Sequence, residues 1–472
     1  MVLSRLRTPP APELDFDAIR TELGVPGPFP ADVVAAATAS AAQPPAPGHD
    51  ATDVAFVTID PPGSRDLDQA VAIDVTDGGG WRVLYAIADV ASWVPAGGPV
   101  DIEARARTQT FYLPDGRTPL HPAALGEAAA SLLPDGPRPA VLWTIDVAAD
   151  GTTSAINVRR ALVRSRAQLT YAQVQAQLDD GTAPESIRAL PDLGRALLAD
   201  ARTRHAIELG LPEQEVVAGP DGHWTVELRA DLPIEGWNAQ VSLLTGRAAA
   251  SLMLGAGVGL LRTLPTPDPE SFPRLQRAAR SLGIAWPDGA HPGTVLASLD
   301  TSKPKHAAFA DLAAELLRGA AYTAFDGPPP ADPGHAGVGA PYAHVTAPLR
   351  RLVDRFASEV CLAVAAGTEV PSWARTALPT LPELMAAGDS KAHKVDRAVV
   401  DATEAFVLGD RVGDVFTASV VETGKDYGTV ALEAPAVRGR CDTARLPLGE
   451  EIQVRCTRAD VAARAVRFER VS

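Results

Sequence analysis

The chain has 472 residues, 46% hydrophobic and 21% charged, and a net charge of −15. That is enough to bury a large core in roughly two to four domains without help from disulfides or a structural metal. Cys361, Cys441 and Cys456 are scattered and form no CxxC pair, which excludes a disulfide framework and suits a reducing compartment. The acidic balance lacks the basic footprint that phosphate attraction usually leaves, so composition alone points away from nucleic acid.

Residues 1–50 are rich in Ala and Pro. They open on MVLSRLRTPPAPELDF, which has two arginines but no apolar run of the kind a secretory signal needs. One short helix is expected around Phe16–Leu23, and AAATASAAQPPAPGHD reads as a linker. From Asp53 the runs DVAFVTI, QAVAIDV, WRVLYAIADV and AVLWTIDV have strand character, with TDGGG and PPGS as turns. Helical patterns follow in TYAQVQAQLDD, PDLGRALLADARTRHA, EGWNAQVSLLTGRAAASLML and FADLAAELLRGAAYTAF. Ala248–Leu261 is the most apolar stretch and falls short of the ~18 residues of a spanning helix, so it is expected to be a buried core helix. Strands first and helices second predict an α+β domain over 51–408. From Asp410 about five short strands in ~60 residues predict a small barrel of the oligonucleotide-binding type over 409–472. The expectation is a cytoplasmic protein that does not enter a membrane.

The densest chemistry lies in Asp60-Pro-Pro-Gly-Ser-Arg-Asp66-Leu-Asp68-Gln69. If 66–68 is extended, alternation sends Asp66 and Asp68 to one side. Carboxylates gathered there repel one another unless a hard divalent cation compensates, although a solvated turn has the same composition. A second segment, His344-Val-Thr346-Ala-Pro348-Leu-Arg350-Arg351-Leu-Val-Asp354-Arg355-Phe, predicts a helix with Pro348 in its first turn and an apolar face of Leu349, Leu352, Val353, Phe356 and Val360. Arg350 and Asp354 have the spacing of a pair. Arg351 and Arg355 have that of a like-charged couple open to an anion. Nine histidines show neither HExxH nor a His/Cys metal spacing, and no G-x-S-x-G element is present.

These segments together resemble the ribonuclease II (RNB) family. Asp60-Pro-x4-Asp66-Leu-Asp68 is similar to its acidic signature, and Tyr85-Ala-Ile-Ala-Asp-Val to the strand that follows. Ala104–Arg117 is similar to its aromatic loop, with Pro119-Leu-His-Pro and Ser131-Leu-Leu-Pro next in order. Tyr342-Ala-His344-Val-Thr346-Ala-Pro348-Leu-Arg350-Arg351-Leu-Val-Asp354 resembles its Y-x-H-x-T-S-P-I-R-R-Y-x-D element. The resemblance spans about Val54–Leu408, and the tail resembles the family's S1 domain. It implies a hydrolytic 3′→5′ exoribonuclease that degrades single-stranded RNA to nucleoside 5′-monophosphates with Mg²⁺, Mn²⁺ being the alternative ion. It implies Asp60, Asp66, Asp68 and Gln69 around the metal, with Asp66, Asp68 and Arg350 catalytic. Tyr112, His344, Thr346, Arg350, Arg351 and Asp396 would lie along the RNA, Tyr112 stacking on the terminal base and His344 serving substrate contact or packing.

Four departures stand out. Gln69 replaces an Asp and removes a charge, Ala347 replaces a Ser, and Asp396 stands for a longer Glu. Ile207-Glu208-Leu209 occupies the place of a second stacking aromatic. Only about fifty residues precede the RNB-like start, in place of cold-shock barrels. The competing reading is an RNA-binding protein on an RNB scaffold with weak or lost nuclease activity.

Overall fold

The structure is a computed structural model and describes residues 14–46, 48–219 and 222–471. Its first part is built on seven strands: β1 His49–Ile59, β2 Gln69–Val75, β3 Trp81–Ala88, β4 Phe111–Leu113, β5 Gly116–Thr118, β6 Arg138–Val147 and β7 Thr153–Leu169. Strands β1, β2, β3, β6 and β7 close a barrel in that order, sealed by a parallel pairing of β1 with β7. Strands β4 and β5 form a separate hairpin. The barrel strands carry apolar side chains on both faces, which is why they read as near-continuous hydrophobic runs. Val83, Tyr85 and Ile87 join Val141, Trp143 and Ile145 in one core, which also holds Val241, Leu244 and Met253 of helix Pro233–Ala256 and Phe356 and Val360 of helix Leu352–Ala366. Ala70, Ala72, Ala86 and Leu142 alternate into a second core.

That second core corrects the linker expectation. Ala31–Ala41 is a helix with Val33 and Ala37 buried against the barrel, because its alanines have the best helix propensity and small enough side chains to pack close. The apolar run after Ala248 is also not one helix. It ends at Ala256, Gly257 caps it with φ +71°, and Val258–Thr263 is a strand antiparallel to Ala321–Asp326. Likewise FADLAAELLRGAAYTAF is a helix only through Ala313, and Gly319 (φ +91°) precedes its strand half. Gly257 in the left-handed region stops the first helix directly, whereas the second tightens into a short 3-10 turn over Ala314–Leu317 before Gly319 redirects the chain.

The tail is a closed barrel of Val415–Thr423, Gly428–Ala431, Arg438–Cys441, Glu451–Asp460 and Ala465–Arg470. Val430, Val454 and Phe468 fill it together with Cys441 and Cys456, so these thiols act as small apolar side chains. It docks on the end of the long helix Leu381–Val407, whose Ala405 enters the barrel core. No helix among the described residues is long and apolar enough to cross a membrane.

Buried Glu404 sits at that junction, where Gln214 Nε2 and the Arg438 N–H both donate to its Oε1 (2.8 and 2.7 Å). Burial pushes its carboxyl up to about 7, so the folded state holds the proton more tightly than the unfolded chain. The stability linked to this proton is fully present below the unfolded value near 4.5 and is lost as pH rises through about 7. Glu404→Gln keeps the acceptor and removes the charge. It should raise stability at pH 8 by on the order of 2 kcal/mol and change little at pH 4, as read by denaturant unfolding at the two pH values.

Candidate active site

The acidic loop runs from the end of β1 to the start of β2 and is stitched down along its length. The Ser131 hydroxyl donates to the Arg65 carbonyl (2.6 Å) and accepts from the Leu67 N–H (2.9 Å). The Leu132 N–H returns a bond to the Leu67 carbonyl (3.0 Å), and the Ala88 N–H binds the Asp68 carbonyl (2.9 Å). This is what the Ser131-Leu-Leu-Pro segment does: it serves the loop as a partner strand. Leu67 is fully buried between two carboxylates that alternation directs away from it.

The acidic side chains have different surroundings. Asp60 Oδ2 is buried and has no hydrogen-bond partner, and burial raises its carboxyl to about 7 against the opposing pull of Arg350. Asp66 is paired with Arg117, which also reaches Glu127 (3.0 Å). Asp68 is almost wholly buried. Its Oδ1 accepts the Leu349 N–H (2.7 Å), its Oδ2 lies 3.6 Å from Arg350 Nε, and burial holds its carboxyl well above the usual range. Among the described residues no three acidic, histidine or cysteine side chains stand grouped tightly enough to hold an ion as they are. The donor set nevertheless suits a cation, because Asp60 Oδ2 lacks a partner and burial disfavours every extra negative charge here.

Gln69 has both ends of its amide engaged. Nε2 donates to the Thr346 carbonyl (2.7 Å), and Oε1 accepts from the Tyr85 hydroxyl (2.7 Å), which is bonded to Ser242 Oγ (2.8 Å). The side chain therefore ties the barrel to the segment that carries the arginines.

That segment differs from its sequence reading. The helix begins at Leu352, not at Pro348, and residues 348–350 form a turn before it. The reason is Asp354, which is fully buried. Its Oδ1 accepts the Ala347 N–H (2.7 Å), and its carboxylate takes a two-pronged bond from Arg351 (2.8 and 2.7 Å). Asp354 thus pairs with Arg351 and not with Arg350. Arg355 is no anion receptor either, being buried against Asp101 (2.6 Å) and the Val94 carbonyl (2.7 Å). Arg350 is left about half exposed, with Asp68 as its ion-pair partner. Its backbone is fixed by the Thr110 N–H, which donates to the Arg350 carbonyl (3.0 Å).

Tyr112, on β4, is half exposed and lines a cleft of about 300 Å³ with Arg350, Arg351, Val395 and Asp396. Three segments distant in sequence are thereby brought together. Burial raises the Asp396 carboxyl. His344 is turned to Tyr322, its Nδ1 lying 2.7 Å from that hydroxyl, and burial holds the ring well below its usual range, so it is neutral and packed. Thr346 is buried and contributes its carbonyl to Gln69. Ile207 is buried in a separate apolar cluster. Sequence reasoning missed Arg117, Tyr85 and Ser242 as partners of the acidic loop. Nothing local marks them: Arg117 reaches Asp66 from the separate β4–β5 hairpin, Tyr85 meets Gln69 across the β2–β3 pairing, and Ser242 comes from helix Pro233–Ala256.

Two family models cover most of this architecture. An RNB domain matches residues 49–364, and an RNase II-type exonuclease C-terminal S1 domain matches residues 414–471. The chain belongs to the RNB family. Nucleases of this family are metal-dependent. Ribonuclease R of Escherichia coli is 27% identical over 389 residues, covering 78% of this chain and 48% of that protein. An exosome complex exonuclease, the RRP44 homolog A of Arabidopsis thaliana, is 27% identical over 350 residues, covering 71% and 36%. Ribonuclease R of Aquifex aeolicus is 25% identical over 458 residues, covering 87% and 63%. The chain thus spans between about a third and two thirds of the length of these relatives. In fold it is similar to Mycoplasma genitalium RNase R in complex with ribose-methylated single-stranded RNA, with a TM-score of 0.86 at 20% identity over 97% of this chain and 77% of that one. It is also similar to yeast Ssd1, a pseudonuclease, with a TM-score of 0.72 at 16% identity over 93% and 56%.

The RNB chain's Gln69 makes a prediction of its own. Asp at this position turns the donor facing the Thr346 carbonyl into an acceptor. Gln69→Asp should therefore cost roughly 1–3 kcal/mol in thermal or denaturant unfolding without added metal. An unchanged midpoint would show that the amide does not hold the arginine turn.

Proposed function

We propose that this chain is a cytoplasmic, hydrolytic 3′→5′ exoribonuclease that trims single-stranded RNA using Mg²⁺, with Mn²⁺ as the alternative. The observation that carries the reading is the Asp68–Arg350 pair at the edge of the cleft holding Tyr112 and Asp396. A buried acid and a half-exposed guanidinium meet where a phosphodiester would present its own charge, beside an aromatic ring suited to a base.

Each side chain then has a task. Tyr112 offers a face for the terminal base, which suits a sequence-tolerant enzyme. Arg350, left without a hydrogen-bonded carboxylate, places donors against the phosphoryl oxygens and offsets the charge that grows on them. Arg351 does not reach the RNA in this reading. Its bidentate bond to Asp354 sets the turn that aims Arg350. Asp60, Asp66 and Asp68 would hold the cation, with Asp66 exchanging Arg117 for it and Gln69 left to its structural bonds. The bound cation supplies activation of water and neutralisation of the leaving oxygen. Water adds to phosphorus, the bond to the preceding 3′ oxygen breaks, and that oxygen gains the proton. The products are a nucleoside 5′-monophosphate and an RNA shortened by one unit.

The second reading, a binding scaffold without nuclease activity, is favoured by one observation, the Arg117–Asp66 pair, in which a protein cation stands on a proposed ligand. A time course on 5′-labelled single-stranded RNA with Mg²⁺, Mn²⁺ or EDTA separates the two. Metal-dependent shortening from the 3′ end is expected. RNA bound yet left intact with each metal would give the scaffold reading the lead. Arg350→Ala should lower kcat by about 10²–10³-fold. Asp68→Asn should abolish shortening while leaving RNA binding measurable by fluorescence anisotropy.

A further inference from the structure

Residues 16–29 lie outside both matched domains, yet they touch both walls of the Tyr112 cleft. The helix Phe16–Glu22 packs Phe16 and Ile19 against Phe111 and Leu113 of the β4–β5 hairpin and against Val395 and Val399 of the long helix. Tyr112 stands between Phe111 and Leu113, so alternation turns it to the opposite side. Phe111 and Leu113 are buried, whereas Tyr112 is 50% exposed. The hairpin is thus two-faced: one face is gripped by this segment and the other is offered to the cleft.

Polar bonds reinforce the grip. Arg20 holds both oxygens of Asp115 in the hairpin turn, one at 2.9 Å, and is itself braced by Asp17 (2.8 Å). Arg107, buried just before the hairpin, donates to the Gly27 carbonyl (2.7 Å) and stacks on Phe29, with its guanidinium carbon 3.7 Å from the ring centre. On the other wall, Lys391 Nζ donates to the Gly24 carbonyl (2.7 Å), five residues before Asp396.

We infer that residues 16–29 are a positioning strap that fixes Tyr112 relative to the Asp396 helix and so sets the grip on the 3′-terminal nucleotide. This rests on the exoribonuclease reading. The strap itself touches neither Arg350 nor the acidic carboxylates in these contacts, so its effect is read in binding of the RNA end. Its end is also tied to the C-terminal barrel through Glu22 and Arg464, which sets the strap between the two nucleic-acid domains.

The test uses the full chain carrying Asp68→Asn, so that RNA survives, and measures the Kd of a 5′-labelled single-stranded RNA with a free 3′ hydroxyl. Adding Phe16→Ala with Arg20→Ala should weaken binding about tenfold, the scale of one lost base stack. The same pair added to Tyr112→Ala should weaken it by less than about twofold, because the strap acts through that ring. On the charge side, Asp115→Arg should weaken binding about three- to fivefold and Arg20→Asp in the same chain should restore it. That swap leaves the apolar packing intact and stays informative if the alanine pair fails to fold. No binding by the parent would overturn the RNA reading itself. Parent binding with strap variants equal to it, or an undiminished loss in the Tyr112→Ala background, would overturn the strap and leave the RNA reading standing.

Discussion

The bond from the Leu349 N–H to Asp68 Oδ1 joins two halves of the chain that are 281 residues apart, and the site exists because it forms. Asp68 belongs to the loop of the barrel, and Leu349 to the turn that carries Arg350. A carboxylate buried this deeply is costly unless donors and cations meet it. One backbone N–H and one guanidinium at 3.6 Å meet it only in part. The unfilled remainder, together with the unpartnered Asp60 oxygen, is why the loop is proposed to take a further cation. Negative charge left incompletely compensated in the resting fold is charge that a cation can complete.

The same turn shows why an acidic chain can handle a polyanion. Net charge sums over the whole surface, whereas a bound phosphate feels the few groups within a Debye length, about 8 Å at physiological salt. Here three arginines around the turn and the loop are spoken for: Arg351 by Asp354, Arg355 by Asp101, and Arg117 by Asp66. Arg350 is the arginine of the turn that keeps reach to spare, its carboxylate lying 3.6 Å away. Asp354 offsets part of the repulsion that Arg351 exerts on Arg350, so the local field is shaped by pairing and not by accumulating positive charge.

Much of the fold was legible because strand alternation and helix period report burial directly. Four of the five strands of the first barrel and the small C-terminal barrel follow from that pattern, whereas β7, whose apolar run is broken by charged residues, does not. The misreadings have a common cause. Hydrophobic periodicity is blind to a single glycine in the left-handed region, so Gly257 and Gly319 each hid a strand behind a helix. Helix Ala31–Ala41 was hidden because alanine and threonine look like linker until Val33 and Ala37 find a surface. At the site, Asp60, Asp66, Asp68, Arg350, Tyr112 and Asp396 could be named from motif order. Which arginine pairs with Asp354 could not, since Arg350 and Arg351 both have helical spacing to it and the choice depends on the helix starting at Leu352.

Fold likeness alone does not separate a nuclease from a scaffold, because RNase R and the pseudonuclease Ssd1 both share this architecture. The distinction has to lie in groups that the fold does not need. Most of what surrounds the loop here is needed by the fold: Ser131 braces the backbone, Gln69 ties the barrel to the turn, and Arg351 with Asp354 shapes the turn itself. Asp60 Oδ2 and the Arg350 guanidinium are different. One is buried without a partner and the other stands half exposed with its carboxylate partner 3.6 Å away, and neither arrangement adds stability. Two groups kept in unfavourable surroundings, one of them lining the cleft beside Tyr112, are what the proposed site would use. That asymmetry between what the fold requires and what it tolerates is the physical ground for reading this RNB chain as an enzyme.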